Sequence, residues 1–494
     1  MKILLIQPPC YYDGKSRLPD LFPLGLGYIA RPLLKSRHDV EVLDIWAHQW
    51  TNEEVLQRIQ RVNYDIVGIT AMSTQYAYIK WLTKELKKYH PNKKIVVGGA
   101  LPTFSPEIVL RNTQTDICAI GEGEITFKEL VENMDSLKAI KGIYFKQDNE
   151  VFRNPPREYI QDLDSIEFPA LDIFPVDIYQ KHCHVWRHPY IKAINILGTR
   201  GCPYRCRFCS RDPAAGVRLR FRSVDNIIQE FKTVSEKYGI NGIFFNDDTL
   251  LANKRRVYDL CDGLEPLKIK WNCQGRANLV DLDLLKRMKK AGCVAVGYGI
   301  ESGSQTILDN MNKKVTVEQA HRALEYTYQA GLDPIVQMMY GYPGETKETL
   351  QETVDFFKKA PCMSYRAVRV AAELTPTTAI PGAELYDQAL AEGLIEDEEK
   401  YLKGLAAGYQ PDSARLLINF TKFNGEEFSR LKKETERQIF LNYLNRCRFR
   451  LVMSYLIDRF KVVMPYAKEH GYRQTIRIIL NRVLDLWLLI REKK

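Results

Sequence analysis

The sequence predicts an α/β protein with a doubly wound parallel sheet, a partial (β/α)6 barrel and a C-terminal helical region. Three observations lead there. Short apolar strands alternate with amphipathic segments up to about residue 145, and six strand-like segments with polar or glycine ends recur between about 190 and 400. From about 401 the alternation stops, and the region ends in arginine-studded apolar stretches at helical spacing, Arg448 to Phe460 and Ile476 to Ile490. A chain of 494 residues holds about three such units. The expected divisions are 1–145, a connector at 146–189, 190–400 and 401–494.

In the first unit Lys2 to Gln7 reads as strand, Leu24 to Lys35 as helix, Asp39 to Ile45 as strand and Asn52 to Val62 as amphipathic helix. Tyr64 to Ala71, Ile79 to Tyr89, Lys94 to Gly99, Pro106 to Arg111, Ile117 to Ile120 and Ile125 to Met134 continue the alternation. Such a succession specifies a Rossmann-like, mostly parallel sheet with helices on both faces, whose ligands sit beyond the carboxyl ends of the strands. The turns at those ends are Gln7-Pro8-Pro9, Ala71-Met72-Ser73-Thr74, Gly98-Gly99-Ala100 and Gly121-Glu122-Gly123-Glu124. Glycine lets a ligand approach the backbone closely. None of these turns is a GxGxxG or Walker A loop, so no motif points to a dinucleotide or nucleoside triphosphate.

Hydrophobic residues at 45% and charged residues at 27% match a soluble globular chain and argue against disorder or a collagen-like repeat. No apolar run approaches a membrane span, and Met1 to Gln7 meets Pro8-Pro9 too soon for a signal peptide, so a cytoplasmic location is expected. Eleven cysteines without an export signal argue for reduced thiols and a metal site rather than a disulfide framework. Between Lys141 and Pro189 the pairs Pro155-Pro156, Phe168-Pro169, Phe174-Pro175 and His188-Pro189 mark an irregular connector. His182, Cys183, His184 and His188 complete no recognised metal spacing and read as ordinary linker residues.

The chemical signal begins where the strand Ile194-Asn195-Ile196-Leu197 enters Gly198-Thr199-Arg200-Gly201-Cys202-Pro203-Tyr204-Arg205-Cys206-Arg207-Phe208-Cys209. Three thiolates on one short loop can grip three corners of an iron–sulfur cube and leave one iron open to another ligand. Structural zinc would need a fourth ligand from far away, and three free thiols is the remaining reading. Cys202, Cys206 and Cys209, with Tyr204 and Phe208 in the aromatic slots, resemble the cluster loop of radical S-adenosylmethionine enzymes. The strand ends that follow resemble that family's six-stranded partial barrel: Asn246-Asp247-Asp248, Gly275-Arg276, Gly299-Ile300-Glu301-Ser302-Gly303, Gly341 to Thr346, and Val368 to Pro376 read as the last strand. Ligands of such barrels lie at these carboxyl ends. The resemblance implies that Glu301 and Ser302 hold the ribose or methionyl part of S-adenosylmethionine and that Arg276 meets its carboxylate, with Tyr204, Phe208, Asp247 and Asp248 completing the site. Gly341 to Thr346 reads as a turn and helix start.

Ahead of such a barrel, the first unit resembles the cobalamin-binding domain fused to many radical enzymes, which implies contacts at Pro8, Pro9, Leu24, Gly25, Ser73, Thr74, Gly98, Gly99, Gly121, Glu122 and Gly123. The D-x-H-x-x-G motif of the wider cobalamin fold is absent, since Asp44 to Trp50 reads DIWAHQW, and no histidine ligand to cobalt can be assigned. The implied cofactors are a 4Fe-4S cluster, S-adenosylmethionine and cobalamin. The implied activity is methyl transfer to an unactivated carbon through a 5'-deoxyadenosyl radical. Rearrangement, cyclisation or oxidation with the same cofactors is the alternative within the class. An iron–sulfur scaffold or sensor without turnover is the alternative outside it, and Arg276 with Glu301-Ser302 favours an enzyme. The expected partners are a small-molecule or lipid-like substrate and a reductant such as flavodoxin or ferredoxin. No RNA-binding appendage follows the barrel, and nucleic acid is not expected.

Lys and Arg total 71 against 61 Asp and Glu, a net charge of +10, and residues 446–494 carry 12 Lys/Arg against 4 Asp/Glu. Arg448 to Phe460 and Ile476 to Ile490 mix apolar residues with arginine at helical spacing. This end reads as a helical cap with a solvated basic face, or as a peripheral contact with an anionic membrane.

Overall fold

In the computed structural model, which describes residues 1–12, 15–16, 18–210, 219–408 and 417–470, two seven-stranded sheets carry the chain. The first holds Lys2–Gln7 (β1), Asp39–Asp44 (β2), Ile66–Thr70 (β3), Lys94–Gly98 (β4), Ile117–Ala119 (β5), Ile143–Gln147 (β6) and Glu150–Arg153 (β7), in the order β2-β1-β3-β4-β5-β6-β7. β1 to β5 are parallel, and β6 and β7 add an antiparallel hairpin. This sheet runs past residue 145, drawing part of the expected connector into its edge.

Parallel strands joined by helical crossovers are covered on both faces, so their sequences are nearly continuous apolar runs. β1 shows the consequence residue by residue. Ile3 and Leu5 join one core with Leu26, Ala30 and Leu33 of helix Leu24–Lys35 (α1). Leu4 and Ile6 face the other way, toward Val55 and Ile59 of Asn52–Arg61 (α2) and Ile79, Leu82 and Leu86 of Tyr76–Tyr89 (α3). Thr51 starts α2 with a capping box, accepting from Glu54 N–H while the Glu54 carboxylate accepts from Thr51 N–H. Helix Gly123–Glu132 (α4) packs on the α1 side through Phe127, Leu130 and Val131.

The second sheet runs in sequence order: His184–Val185 (β8), His188–Ile196 (β9), Gly242–Phe245 (β10), Lys270–Gly275 (β11), Cys293–Glu301 (β12), Asp333–Tyr340 (β13) and Leu374–Pro376 (β14). β8 pairs antiparallel with β9, and β9 to β14 are the six parallel strands of the partial barrel. Gln305–Asn310 (α5), Lys347–Lys359 (α6) and Tyr365–Ala372 (α7) lie among its helices, and Gly425–His470 (α8) crosses its outside. Polar ties join the two sheets. The Asn195 side chain on β9 accepts from Phe22 N–H at 2.7 Å and donates to Phe22 O at 2.9 Å. Tyr179 donates to Asp44 at 2.7 Å, and burial pushes the Asp44 carboxyl up to about 6, against the hydrogen bonds from Ala47 N–H and Tyr179.

Two expectations are corrected. Val368 to Ala372 is helix, and the strand shrinks to Leu374–Pro376. The Ser364 side chain caps α7 by accepting from Ala367 N–H, and Ala367, Val368, Ala371 and Ala372 form its buried face, so a 3.6-residue period overrides the strand propensity of the valines. The expectation of reduced thiols fails at one pair: Cys362 and Cys447 form a disulfide, 85 residues apart in sequence, which pins α8 to the loop ahead of α7. The α8 backbone leaves helical geometry at Cys447. No described helix is long and apolar enough to cross a membrane. The stretch Ile476 to Ile490 lies outside the described residues.

Candidate active site

The three-cysteine loop is fastened from several sides before any ligand is considered. At its root, Asp247 accepts from Gly198 N–H with both carboxylate oxygens, at 3.0 and 3.1 Å, and burial pushes that carboxyl up to about 6. Along its length Arg207 N–H donates to Met311 O at 3.0 Å and Leu385 N–H to Arg207 O at 2.9 Å. Asn312 donates to Arg205 O at 2.6 Å, and Ser210 donates to Pro381 O at 2.8 Å. The Phe208 ring packs with Ile307, Met311, Tyr342 and Leu385. A loop held this way presents its thiols in a fixed pattern, the preorganisation a site needs.

Cys206 is buried, and its Sγ accepts from Arg276 Nη1 at 3.4 Å. The guanidinium stacks on Tyr204, 3.7 Å from the ring centroid, and its Nη2 donates to Lys313 O. Arg276 Nε is buried without a partner, a donor held in reserve at the mouth of the barrel. Cys209 and Asp248 remain solvent-accessible. The enclosing protein nonetheless pushes the Cys209 thiol up to about 11, with Asp248 adding to the shift, and raises Cys202 as well. Loading a metal there would release protons.

β12 ends in a bulge against β13, and Glu301 takes a left-handed backbone (φ +71°), a conformation that costs free energy and clusters at functional sites. Its Oε1 accepts from Lys313 Nζ at 2.8 Å, with the two side chains 11% and 8% exposed. Gly299 makes the pair possible, since a Cβ there would collide with Glu301 Oε1 and stand 3.2 Å from Lys313 Nζ. Lys313 escaped the sequence reading. It sits in Met311-Asn312-Lys313-Lys314 just past α5, a run that reads as solvated charge until the fold buries it. Two expected ligand contacts are occupied within the protein: Asp247 at the loop root, and Ser302, whose Oγ accepts from Ser304 N–H at 3.1 Å and lies 3.4 Å from Thr353 Oγ1. Gly341 to Thr346 forms the turn expected of it, with Gly341 N–H donating to Glu345 and Thr346 capping α6.

The N-terminal sheet opens a cavity of about 290 Å³ at the carboxyl ends of β3, β4 and β5. Gly25, Gly98, Gly99, Gly121, Glu122 and Gly123 line it, with Tyr28, Gly68, Thr70, Phe127 and Arg200. A Cβ added at Gly25 would meet nothing, one at Gly98 only Ala119 at 3.8 Å, and one at Gly99 (φ +93°) the Ala71 carbonyl at 2.7 Å, so the floor is bare by choice of residue. Of the remaining residues read for this site, Leu24 is buried in α1 and Pro8, Pro9, Ser73 and Thr74 stand at the ends of β1 and β3, off the cavity lining. One wall is tied to the cysteine loop. Glu122 pairs with Arg200 at 3.0 Å and Arg220 at 2.9 Å, and Glu124 pairs with Arg200 at 2.5 Å. Arg200 is two residues ahead of Cys202, so cavity and loop share one ionic joint.

The donor set tests what the site can hold. Among the described residues no three His, Cys, Asp or Glu side chains converge on a single metal ion. Three thiols on one braced loop that do not converge on a point suit separate irons of a cube. The glycine floor suits a broad, flat group. Fold and site thus define an enzyme that joins iron–sulfur chemistry on a partial barrel to a large cofactor on a Rossmann-like sheet.

Comparisons with known proteins agree. A model of the Radical SAM superfamily matches residues 196–357, and a model of the B12 binding domain matches residues 14–131. A Pyrococcus horikoshii protein described as an uncharacterized methyltransferase is 35% identical over 402 residues, covering 80% of this chain and 84% of its own. The cytidylyl-2-hydroxyethylphosphonate methyltransferase of Streptomyces wedmorensis is 25% identical over 491 residues, covering 88% of this chain and 89% of its own. The solved structure of the radical S-adenosylmethionine methyltransferase TsrM of Kitasatospora setae, with cobalamin and a 4Fe-4S cluster bound, superposes with a TM-score of 0.64 at 17% identity, over 79% of this chain and 75% of that one. The chain belongs to the radical S-adenosylmethionine enzymes that carry a B12-binding domain. Its cofactor set is that of the family: a 4Fe-4S cluster, S-adenosylmethionine and cobalamin.

Proposed function

We propose that the enzyme is a methyltransferase acting on an unactivated carbon of a small molecule, with a flavodoxin or ferredoxin as electron donor. The observation that carries this reading is the ionic joint of Glu122 and Glu124 with Arg200, which couples the glycine-floored cavity to the cysteine loop. Relatives named as methyltransferases support it. When bound, the cofactors supply the radical and the methyl group. The chain's own residues do the rest. Cys202, Cys206 and Cys209 hold the cluster, and Arg276 stacks on Tyr204 beside it. Glu301 and Lys313 offer a carboxylate and an ammonium, already oriented by each other, to the amino and carboxylate groups of S-adenosylmethionine. Gly25, Gly98, Gly99, Gly121, Glu122 and Gly123 leave room for cobalamin. Phe208, between Cys206 and Cys209, and its apolar neighbours keep water from that end of the loop.

The test is anaerobic: reconstituted enzyme, S-adenosylmethionine and dithionite, with products read by mass spectrometry. Methyl transfer predicts both 5'-deoxyadenosine and S-adenosylhomocysteine, with cobalt retained through gel filtration. 5'-Deoxyadenosine alone would overturn it in favour of rearrangement, cyclisation or oxidation.

Lys313→Met tests the buried pair. It leaves Glu301 without its cation, and breaking such a pair costs about 3–5 kcal/mol. 5'-Deoxyadenosine formation should fall by about tenfold or more, with KM for S-adenosylmethionine raised and iron content unchanged. Normal turnover would remove both residues from the site.

A further inference from the structure

Helix α8 changes character at Cys447. Before it, Ile439, Tyr443 and Leu444 are buried in the barrel's core. Beyond it one face still packs, through Leu451, Tyr455 and Ser454, whose Oγ accepts from Tyr365 N–H at 2.8 Å. The other face carries Phe449, Met453, Leu456 and Ile457, exposed by 80%, 40%, 37% and 46%. At 3.6 residues per turn these four fall within an arc of about 100°. By the same spacing the positions of Arg448 and Arg459 border one edge of the arc, and those of Arg450 and Lys461 border the other. From Arg446 to Lys468 the sequence has six Lys/Arg and a single acid, Asp458.

We propose that this face seats the enzyme on an anionic lipid surface. An exposed apolar stripe on a helix whose other side is core marks an interaction site. Its borders decide the partner. Protein interfaces surround an apolar centre with a polar rim that need not carry one sign of charge. Here the bordering positions on both sides are Arg or Lys in sequence, residue types whose long stems let a charge reach phosphates while apolar side chains enter the headgroup layer, although Arg450 is itself held by Tyr328. The basic end of the sequence, 12 Lys/Arg against 4 Asp/Glu over residues 446–494, adds attraction of the same sign. The stripe lies at the base of the barrel: Arg450 donates to Tyr328, and Ser454 sits at the start of α7, near Asp333 where β13 begins. The cysteine loop is at the opposite ends of the strands. Contact here tethers the enzyme and leaves its mouth facing away from the membrane, so the inference is independent of the substrate and of the methyl-transfer reading.

The test is flotation of the full chain with phosphatidylcholine vesicles, with and without phosphatidylglycerol. At low salt about tenfold more protein should float with the anionic vesicles, and raised salt should release it. Phe449→Glu with Ile457→Glu should remove the binding by about the same factor, with elution volume and iron content unchanged. Equal flotation with both vesicle types would overturn the proposal. Undiminished flotation of the double variant would also overturn it, placing the contact elsewhere in the chain. Dissociation by that variant of a dimer formed without vesicles would assign the face to a second copy.

Discussion

Replacing Cys206 by Ala should abolish the iron–sulfur absorbance and the release of 5'-deoxyadenosine together, a loss of several orders of magnitude in activity. Cys206 is the buried member of the three, with Arg276 Nη1 3.4 Å from its sulfur. With two thiols left on the loop, a cube lacks the third corner that three closely spaced ligands supply. The loop itself should survive the change, because its fastenings at Gly198, Arg205, Arg207 and Ser210 involve other atoms. The variant should therefore keep the parent's melting behaviour in the iron-free state while failing to take up iron. Retained 5'-deoxyadenosine release would sink the cluster assignment. A collapse of the iron-free protein would show that the thiol holds the loop rather than a metal. Cys206→Ser sharpens the result, since it keeps the volume and a hydrogen-bonding atom and should still lose iron.

What the sequence made legible followed from local chemistry. Alternating apolar runs require strands, and in the first sheet continuous ones such as Leu4-Leu5-Ile6 require helices on both faces. A C-x3-C-x2-C loop announces itself because thiolate spacing is short-range information. The parts that stayed hidden depend on the closed fold. Lys313 becomes a buried partner of Glu301 only when the end of α5 packs over the barrel mouth. The Cys362–Cys447 bond joins residues whose proximity needs α8 to lie along α6 and α7. Asp247 and Ser302 carry the residue types of ligand contacts, yet their oxygens are engaged by backbone groups that no spacing rule reveals. In Val368 to Ala372 two β-branched residues argued for strand, and the capping by Ser364 decided otherwise.

The joint between the two sheets carries the second large expectation. Burial alone would raise the Glu122 carboxyl, but the hydrogen bond from Arg220 and the charges of Arg200 and Arg220 hold it below the usual carboxylate range. Glu122 also accepts from Ile160 N–H at 2.8 Å, so one side chain secures Arg200 ahead of the cysteine loop, Arg220 and the connector. Glu122→Ala leaves Arg220, 10% exposed, without its carboxylate and Arg200, 17% exposed, with Glu124 alone, and losing one partner of such a network costs about 3–5 kcal/mol. Urea unfolding of Glu122→Ala and Glu122→Gln against the parent should show that loss at neutral pH. Because the folded pKa is depressed, the charged part of the contribution is full above the unfolded value of about 4.3 and disappears as pH falls through the folded value. The gap between parent and Glu122→Gln should therefore hold steady through neutral pH and close in acid. A gap that persists in acid would assign Glu122 to packing alone. The double variant with Arg220→Ala should cost less than the sum of the single changes, since both single changes remove the same Glu122–Arg220 contact. If the joint couples the cavity to the loop, Glu122→Ala should also lose cobalt on gel filtration while its cysteines still take up iron. Equal retention of both would confine the joint to stability.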